Sequence, residues 1–270
     1  MRYLCGVPDR IADAGRQQAK ASTAGAGTDE TEAVVSLPSS NQKQRKVLLQ
    51  CALDTVDLAH TLSLARAVAP YVDALEIGTP CIKCHGLGVV RELRSRYPLH
   101  LIVVDLKTMD AGYYEVEPFL QYGADVVTVL GVADDRTISG VEATRIYGRR
   151  AQVDLINVAD KPARARQVAA LGADIVGVHT GLDQQDGGTP LADLAAVAEL
   201  GLFGTISVAG GIGAETARRA VDAGASIVVA GAAICAVPDP AGAAAQICGI
   251  LHEARLGRPA EEAVSGREIC

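Results

Sequence analysis

Short apolar runs alternate with longer amphipathic segments along the chain from residue 47 onward. Apolar runs of this length, bounded by polar or glycine-containing turns, predict strands that are buried on both faces. The eight predicted strands are Val47–Asp54, Ala74–Gly78, Leu101–Leu106, Val126–Leu130, Ala151–Leu155, Ile175–His179, Thr205–Ala209 and Ile227–Ala230. The eight predicted helices between and after them are Asp57–Val68, Leu87–Arg96, Gly112–Gln121, Asp134–Tyr147, Pro162–Leu171, Pro190–Leu200, Ala214–Ala223 and Pro240–Ala254.

An internal repeat marks the turns from helix to strand. A Gly-Ala pair, then Asp or Ser and two apolar residues, begins at Gly123, Gly172 and Gly224. Each glycine falls where a helix end favours a left-handed residue before the chain turns into the next strand. Eight strand–helix units at this spacing predict an α/β fold, the (β/α)8 TIM barrel, over residues 47–256, with a doubly wound open sheet as the alternative.

The two flanks of the predicted barrel differ from it in composition. Residues 1–46 are rich in Ala, Gly, Ser, Thr and Gln and end in a polar run, so they bury too little apolar surface to offset the entropy of ordering. We expect a flexible N-terminal extension there, and a C-terminal tail at residues 257–270.

Composition narrows the possible partners and the compartment. The 270-residue chain carries a net charge of −7, which argues against nucleic acid or an anionic membrane as the main partner. No uncharged apolar stretch is long enough to span a membrane, and no secretory signal is apparent at the N-terminus. The seven cysteines are an odd number, which favours free thiols in a reducing cytoplasm over a disulfide framework.

Ionisable residues fall at the ends of the predicted strands. Asp54, Glu76, Asp154 and His179 end strands 1, 2, 5 and 6, and Asp105 with Lys107 ends strand 3. In a TIM barrel the carboxyl ends of the strands carry the active site, so we expect these side chains to converge. His179 has an unperturbed pKa near neutrality, which makes it the candidate proton shuttle.

The strand 3 residues form the pattern D-x-K-x-x-D. Alternation along the strand places Asp105 and Lys107 on one face, and it predicts that Lys107 lies between the carboxylates of Asp105 and Asp110. Flanking carboxylates favour the protonated ammonium, which serves as a proton donor or an electrostatic clamp. Glu76 and Asp105, on adjacent strands, are candidate oxygen ligands for Mg²⁺.

Glycine-containing loops follow the last two predicted strands. Strand 7 runs into Gly210 and Gly211, and strand 8 runs into Gly231 and Ala232. Glycines let backbone N–H groups approach a phosphate closely, and the loops after strands 7 and 8 are the recurrent phosphate site of this barrel. The substrate is therefore expected to carry a phosphate.

The run Cys81-Ile82-Lys83-Cys84-His85 matches the C-x-x-C-H pattern of c-type haem attachment. Haem attachment requires export, and no second cysteine or histidine pair completes a zinc set at the usual spacing. We interpret the match as a chance occurrence in the loop after strand 2.

Several segments together resemble the 3-hexulose-6-phosphate synthases, within the orotidine-5′-phosphate decarboxylase superfamily. The segments, all between Leu49 and about Glu253, are Gln50-Cys51-Ala52-Leu53-Asp54, Glu76-Ile77-Gly78-Thr79-Pro80, Asp105 to Asp110, Leu130 to Asp135, Asp154 to Val158, Gly177 to Gln185 and Val208 to Gly211. D-x-K-x-x-D is shared across the superfamily, whereas D-L-I-N and G-V-H-x-G-x-D-Q-Q are more specific to the synthases.

The resemblance implies an activity and an assembly. It implies Mg²⁺-dependent (or Mn²⁺-dependent) aldol addition of formaldehyde to D-ribulose 5-phosphate, and a homodimer in which Asp110 reaches the neighbouring subunit's site. It also implies that Asp54 binds a substrate hydroxyl and that Glu76 and Asp105 bind the metal. The remaining implied roles are Lys107 as partner of the developing enediolate, His179 as the base and Asp154 as a residue of the polar end.

Three other interpretations remain at this point. A related decarboxylase acts on 3-keto-L-gulonate 6-phosphate, and that family resembles this chain less, since it carries Glu where this chain has Asp154 and an Arg soon after the strand 6 histidine. A phosphosugar epimerase or isomerase on a similar barrel is the second. A non-catalytic phosphosugar-binding barrel, with residues 1–46 as its interaction segment, is the third.

Overall fold

The computed structural model describes residues 47–255. The predicted flexible extension at residues 1–46 and the predicted tail at 257–270 lie outside the described residues.

Eight parallel strands close into a barrel in sequence order. They are β1 (Leu48–Leu53), β2 (Ala74–Ile77), β3 (Leu101–Thr108), β4 (Val126–Leu130), β5 (Arg150–Asp154), β6 (Ile175–His179), β7 (Thr205–Ala209) and β8 (Ile227–Ala230). The barrel closes through the parallel pairing of β1 with β8, in which Cys51 lies opposite Ala230. The predicted (β/α)8 barrel is confirmed, and closure excludes the open-sheet alternative.

Helices connect the strands on the outside. They are α1 (Leu58–Val68), α2 (Thr79–His85), α3 (Leu87–Arg96), α4 (Gly112–Gln121), α5 (Asp135–Glu142), α6 (Lys161–Ala170), α7 (Leu191–Ala198), α8 (Ala214–Asp222), α9 (Ala232–Cys235) and α10 (Pro240–Arg255). Short 3₁₀ turns occur at Ala69–Tyr71, Ala143–Tyr147 and Leu182–Gly187. No helix in the described range is both long and apolar enough to cross a membrane.

Side chains alternate between two buried layers because successive residues of a strand point to opposite faces. The outer layer packs the strands against the helices and contains most of the buried aliphatic side chains. The apolar part of the inner layer is Leu48, Ala52, Ala74, Leu101, Val103, Val126, Ile175, Ile227 and Val229. Buried polar side chains share the barrel with it at Gln50, Glu76, Asp105, Thr128, Gln152, Asp154 and Ser207. The interior thus becomes polar toward the carboxyl ends of the strands.

The helix-to-strand glycines adopt the predicted conformation. Gly123, Gly172 and Gly224 have φ angles of 107°, 97° and 105°. A Cβ at Gly224 would lie 2.6 Å from the Cβ of Ala198, so this turn also requires the missing side chain. The repeat in the sequence is therefore a repeat of backbone geometry.

Both ends of the described chain meet at the face where the strands begin. The guanidinium of Arg255, the last residue of α10, donates a hydrogen bond to the carbonyl of Val47. The same guanidinium lies 3.5 Å from the carboxylate of Asp73. This contact fixes the last helix beside the first strand.

Three local predictions are wrong. The C-x-x-C-H run is not a loop: Pro80 at the start of α2 is pre-organised for a helix, and Thr79–His85 forms one. The segment predicted as a helix over Asp134–Tyr147 changes to a 3₁₀ turn at Ala143. Strand β3 continues past Leu106 to Thr108 through an irregularity that shapes the site.

Candidate active site

The end of β3 is bulged. Val104 pairs with Val127 of β4, and Thr108 pairs with Val129, so four steps along β3 match two along β4. Within the bulge Lys107 has a φ of 47°, a left-handed conformation that is uncommon for a residue with a Cβ. Bulges re-aim side chains, and this one lies where the D-x-K-x-x-D pattern begins.

The carboxylate of Asp105 is buried and surrounded by donors. Its Oδ2 accepts from Lys107 Nζ at 2.6 Å and from the Thr79 hydroxyl at 2.7 Å. Its Oδ1 accepts from the Thr128 hydroxyl at 2.7 Å. With 6% of its surface exposed, the Asp105 carboxylate is held in one orientation by these contacts.

Lys107 lies between two carboxylates, but the second is not the predicted one. Its Nζ is 2.6 Å from Asp105 and 3.4 Å from Oδ2 of Asp154 on β5. Asp110 is exposed, and its carboxylate accepts a hydrogen bond from the N–H of Ala111. The prediction failed because the chain leaves β3 after Thr108, which takes Asp110 out of the strand.

The charge state of Lys107 follows from these neighbours. Burial lowers the pKa of the ammonium, but the charges of Asp105 and Asp154 outweigh burial and raise the pKa above its ordinary value. Lys107 is therefore a fixed cation at neutral pH, as the sequence predicted from flanking carboxylates.

Asp154 links Lys107 to His179. Its Oδ2 lies 2.9 Å from His179 Nδ1, and its Oδ1 accepts from the N–H of Ile156 at 2.9 Å. Burial raises the pKa of this carboxyl, but the hydrogen bond and charge of His179 and the charge of Lys107 lower it below its usual value. An ionised Asp154 holds the proton of His179 on Nδ1, so proton transfer by the imidazole runs through Nε2.

Glu76 and Asp54 extend the cluster. Glu76 Oε2 accepts from Gln50 Nε2 at 2.6 Å, and burial followed by repulsion from Asp105 raises the pKa of Glu76 to about 8. Asp54 is exposed, yet partial desolvation and then repulsion from Asp105 raise its pKa as well. Acidic groups crowded in this way favour a bound cation.

The donor set fits a magnesium site that needs substrate or water to complete it. Within residues 47–255, no group of three or more His, Cys, Asp or Glu side chains is arranged to hold a metal ion. Glu76 and Asp105 supply two hard carboxylates on adjacent strands, and Mg²⁺ is commonly bound by one or two carboxylates plus waters and substrate oxygens. The charge of Asp105 raises the pKa of Glu76, and a bound cation would relieve this repulsion.

The glycine loops after β7 and β8 lie side by side. Gly210 and Gly211 have φ angles of 93° and 67°, and a Cβ at Gly213 would lie 3.2 Å from the Cβ of Ala233. Gly231 precedes the short helix α9, which begins at Ala232. The loops that follow β7 and β8 therefore approach each other at Gly213 and Ala233.

Gly231 also adjoins the acidic cluster. A Cβ there would lie 3.3 Å from the carboxylate of Asp54. The loop after β8 and the carboxylate of Asp54 are therefore adjacent.

Sequence reasoning missed three polar residues of the site: Gln50, Thr79 and Thr128. A signal was available for two of them, since Gln50 and Thr128 interrupt otherwise apolar strands at inward-facing positions. Strand alternation gave no signal for Thr79, because Thr79 begins α2, in a segment that was predicted as a loop.

The C-x-x-C-H side chains differ in burial and in their contacts. Cys81 is fully buried, Cys84 is exposed, and His85 Nε2 lies 2.9 Å from the carbonyl of Val56. The interpretation of this motif as a chance match stays a prediction.

Comparison with known proteins relates most of the described barrel to one family. A family model described as the orotidine 5′-phosphate decarboxylase / HUMPS family matches residues 48–247. A protein named 3-hexulose-6-phosphate synthase from Methylomonas aminofaciens is 58% identical over 205 residues, covering 75% of this chain and 98% of that protein. One of the same name from Mycobacterium gastri is 44% identical over 201 residues, covering 74% and 97%.

Solved structures similar to this chain include a synthase and a decarboxylase. A crystal structure titled 3-hexulose-6-phosphate synthase is 41% identical, with a TM-score of 0.71 over 76% of this chain and 99% of that one. A structure of 3-keto-L-gulonate-6-phosphate decarboxylase from Vibrio cholerae is 26% identical, with a TM-score of 0.69 over 77% and 98%.

Proposed function

Because the chain belongs to the orotidine 5′-phosphate decarboxylase / HUMPS family, and within it to the 3-hexulose-6-phosphate synthases, we propose that it adds formaldehyde to D-ribulose 5-phosphate. It is an enzyme, an aldolase-type lyase. The proposed product is D-arabino-hex-3-ulose 6-phosphate, formed reversibly through a 1,2-enediolate. The observation that carries the proposal is the connected set Asp105–Lys107–Asp154–His179 at the strand ends.

The proposed first step is removal of a C1 proton of ribulose 5-phosphate. His179 accepts it on Nε2, while Asp154 holds the imidazole through Nδ1 and stabilises the imidazolium that forms. The ammonium of Lys107 is fixed nearby and offsets negative charge on the enediolate oxygens.

The second proposed step is carbon–carbon bond formation. C1 of the enediolate forms a bond to the carbonyl carbon of formaldehyde as C2 becomes a carbonyl again, and the new alkoxide takes the proton that His179 Nε2 accepted in the first step. The loops at Gly210–Gly211 and Gly231–Ala232 are proposed to bind the phosphate, and Asp54 a substrate hydroxyl. A Mg²⁺ or Mn²⁺ ion held by Glu76 and Asp105 would supply positive charge to the oxygens of the enediolate.

The experiment is a measurement of formaldehyde consumption by the purified protein with ribulose 5-phosphate, with and without EDTA. We expect metal-dependent consumption that is lost in His179→Ala and retained in His60→Ala, which removes an exposed histidine of α1. No consumption by the folded protein would refute the proposal. Release of CO₂ from 3-keto-L-gulonate 6-phosphate would then support the related decarboxylase, and binding without turnover would support a non-catalytic barrel.

A homodimer with Asp110 shared between subunits is part of the proposal. Its support is the exposed position of Asp110 beyond the end of β3. If Asp110 acts on the partner's site, Asp110→Asn and Lys107→Met, each inactive, should regain about a quarter of wild-type activity on mixing, since half of the random dimers have one intact site. A stable monomer, or no recovery, would refute sharing.

The location proposed for this enzyme is the cytoplasm. Free thiols at Cys51, Cys81, Cys84 and Cys235 agree with a reducing compartment. Localisation of a tagged full-length chain by cell fractionation would test it, and recovery outside the cytoplasm would contradict it.

A further inference from the structure

The hydroxyl of Thr128 joins the two functional residues of the β3 bulge. It donates to Asp105 Oδ1 at 2.7 Å and accepts from the backbone N–H of Lys107 at 2.9 Å. Thr128 is 2% exposed, so water does not replace either bond. One hydroxyl therefore uses its donor and an acceptor site to fix a side chain and a backbone segment together.

The backbone that Thr128 holds is strained. Lys107 adopts a φ of 47°, where a residue with a Cβ is disfavoured, and such a conformation persists only if its surroundings stabilise it. Thr128 lies between Val127 and Val129, the β4 residues whose partners on β3 flank the bulge. It is placed to supply the hydrogen bond that the irregular ladder no longer provides.

We propose that Thr128 is a positioning residue that keeps the Lys107 ammonium aimed between Asp105 and Asp154. The inference rests on the proposed function for its catalytic consequence. Without the hydroxyl the Lys107 N–H is buried without an acceptor, and the bulge relaxes toward regular strand geometry. Because a displacement of about 1 Å costs up to about 100-fold in rate, the effect falls on turnover.

The test compares Thr128→Val, Thr128→Ser and Thr108→Val. Thr108 provides the matched control, since it is a 1%-exposed threonine at the end of β3 whose hydroxyl has no hydrogen-bond partner among residues 47–255. We expect Thr128→Val to lower kcat by about 10- to 100-fold with KM for ribulose 5-phosphate changed by less than about threefold. Thr128→Ser should recover to within about threefold of wild type, and Thr108→Val should keep full activity.

Two results would overturn this inference. One is wild-type kcat in Thr128→Val, and the other is equal impairment of Thr128→Val and Thr128→Ser. If the wild type itself shows no turnover, the proposed function fails. The positioning role of Thr128 is then tested by crystal structures of wild type and Thr128→Val, and a positive φ retained at Lys107 in the variant would overturn it. Thr128→Ala, which leaves room for a water, replaces Thr128→Val if the latter does not fold.

A separate observation concerns two cysteines behind the β8 loop. Cys51 Sγ lies 3.6 Å from Cys235 Sγ, although the residues are 184 positions apart. Cys51 is fully buried in β1, whereas Cys235, at the end of α9, is half-buried. A disulfide requires about 2.05 Å between the sulfurs, so a small inward movement of α9 would allow the bond.

The two thiols are suited to different roles in oxidation. Their hydrogen bond lowers the pKa of Cys235 and raises that of Cys51, and burial raises the latter further. Hydrogen peroxide would transfer one oxygen to the Cys235 thiolate, giving a sulfenic acid and hydroxide. The Cys51 thiol would then attack that sulfur and release water, so that two thiols and one peroxide give one disulfide and two waters.

We infer that Cys51 and Cys235 form a peroxide-sensitive dithiol whose disulfide ties β1 to α9 and displaces the Gly231 loop. The link to the loop is direct, because the N–H groups of Ile234 and Cys235 both donate to the Gly231 carbonyl. Movement of Cys235 toward β1 therefore moves Gly231. Oxidation should weaken phosphate binding more than it slows the chemical step.

Peptide mapping of the peroxide-treated full-length protein tests the dithiol. We expect a Cys51–Cys235 cross-link that dithiothreitol reverses, that is absent in Cys235→Ser and that persists in Cys84→Ser, which removes an exposed thiol. The cross-linked protein should have a KM for ribulose 5-phosphate raised by roughly tenfold. Absence of the cross-link would refute the peroxide-sensitive dithiol, whatever the enzyme's activity. An unchanged KM in cross-linked protein would refute the displacement of the Gly231 loop by the disulfide.

Discussion

Gly210 offers a sharp test of the loop after β7. Its φ of 93° is one that residues with a Cβ rarely adopt, and an added Cβ would lie 2.0 Å from the carbonyl oxygen of Thr180. Gly210→Ala therefore forces the ends of β6 and β7 apart. Gly201→Ala is the matched control, because Gly201 has a φ of 64° but no described atom within 4 Å of its added Cβ.

The magnitudes follow from these two contributions. A left-handed alanine costs about 1–2 kcal/mol, which is the whole expected loss for Gly201→Ala. Overpacking against Thr180 adds about 1–3 kcal/mol to the loss for Gly210→Ala. If the displaced loop also loses one charge-assisted hydrogen bond to the phosphate, worth about 1.5–3 kcal/mol, KM for ribulose 5-phosphate rises roughly 10- to 100-fold.

Urea unfolding and steady-state kinetics on both variants provide the assay. We expect Gly210→Ala to unfold at a lower urea concentration than Gly201→Ala and to have a raised KM, with Gly201→Ala kinetically normal. Equal stability of the two variants would refute the steric reasoning. A destabilised Gly210→Ala with a normal KM would refute the placement of the phosphate at this loop.

Three further predictions concern the charged cluster. Lys107→Met leaves the carboxylates of Asp105 and Asp154 buried without their cation. Chemical unfolding at pH 7 should therefore show a free energy of unfolding that is lower by about 3–5 kcal/mol, and the difference should be smaller in acid. An unchanged free energy of unfolding would contradict the ion pairing. In metal-free protein the pKa of Glu76 is raised to about 8, chiefly by burial and then by Asp105. Ionisation of Glu76 destabilises the fold as pH rises from about 4.5 through 8. Glu76→Gln should therefore become more stable than wild type across that window, by about 4 kcal/mol at most. Free energies of unfolding in urea that depend on pH equally in both proteins would disprove the raised pKa. Finally, Mg²⁺ should raise the thermal midpoint of wild type but not of Glu76→Gln, and equal shifts in differential scanning fluorimetry would exclude Glu76 as a ligand.

The barrel could be predicted from the sequence because its signals are local and repeated. Apolar runs such as Val126–Leu130 and Ile227–Ala230 fall within the strands as predicted, and the glycine after each helix is dictated by backbone geometry alone. The position of ionisable residues at strand ends then follows from topology, since all eight strands point the same way.

The contacts within the site depend on irregularities that no local pattern announces. Regular alternation brings Asp105 and Lys107 to one face, but the structure joins them through a bulge with a left-handed lysine. The second carboxylate beside Lys107 comes from Asp154 on β5, a strand that begins more than 40 residues after Lys107. The roles of Asp54, Asp110 and the metal ligands stay predictions, because they concern bound groups and a second subunit.

The contact between Arg255 and Val47 has a practical consequence for protein engineering. It brings the first strand and the last helix of the barrel together on the face opposite the strand ends that carry the site. A short linker from residue 255 to residue 47 would therefore close the barrel into a ring without crossing the substrate entrance. New termini could then be opened in the turn between α7 and β7, where Gly201 and Leu202 are exposed, giving a circularly permuted enzyme with an undisturbed active-site face.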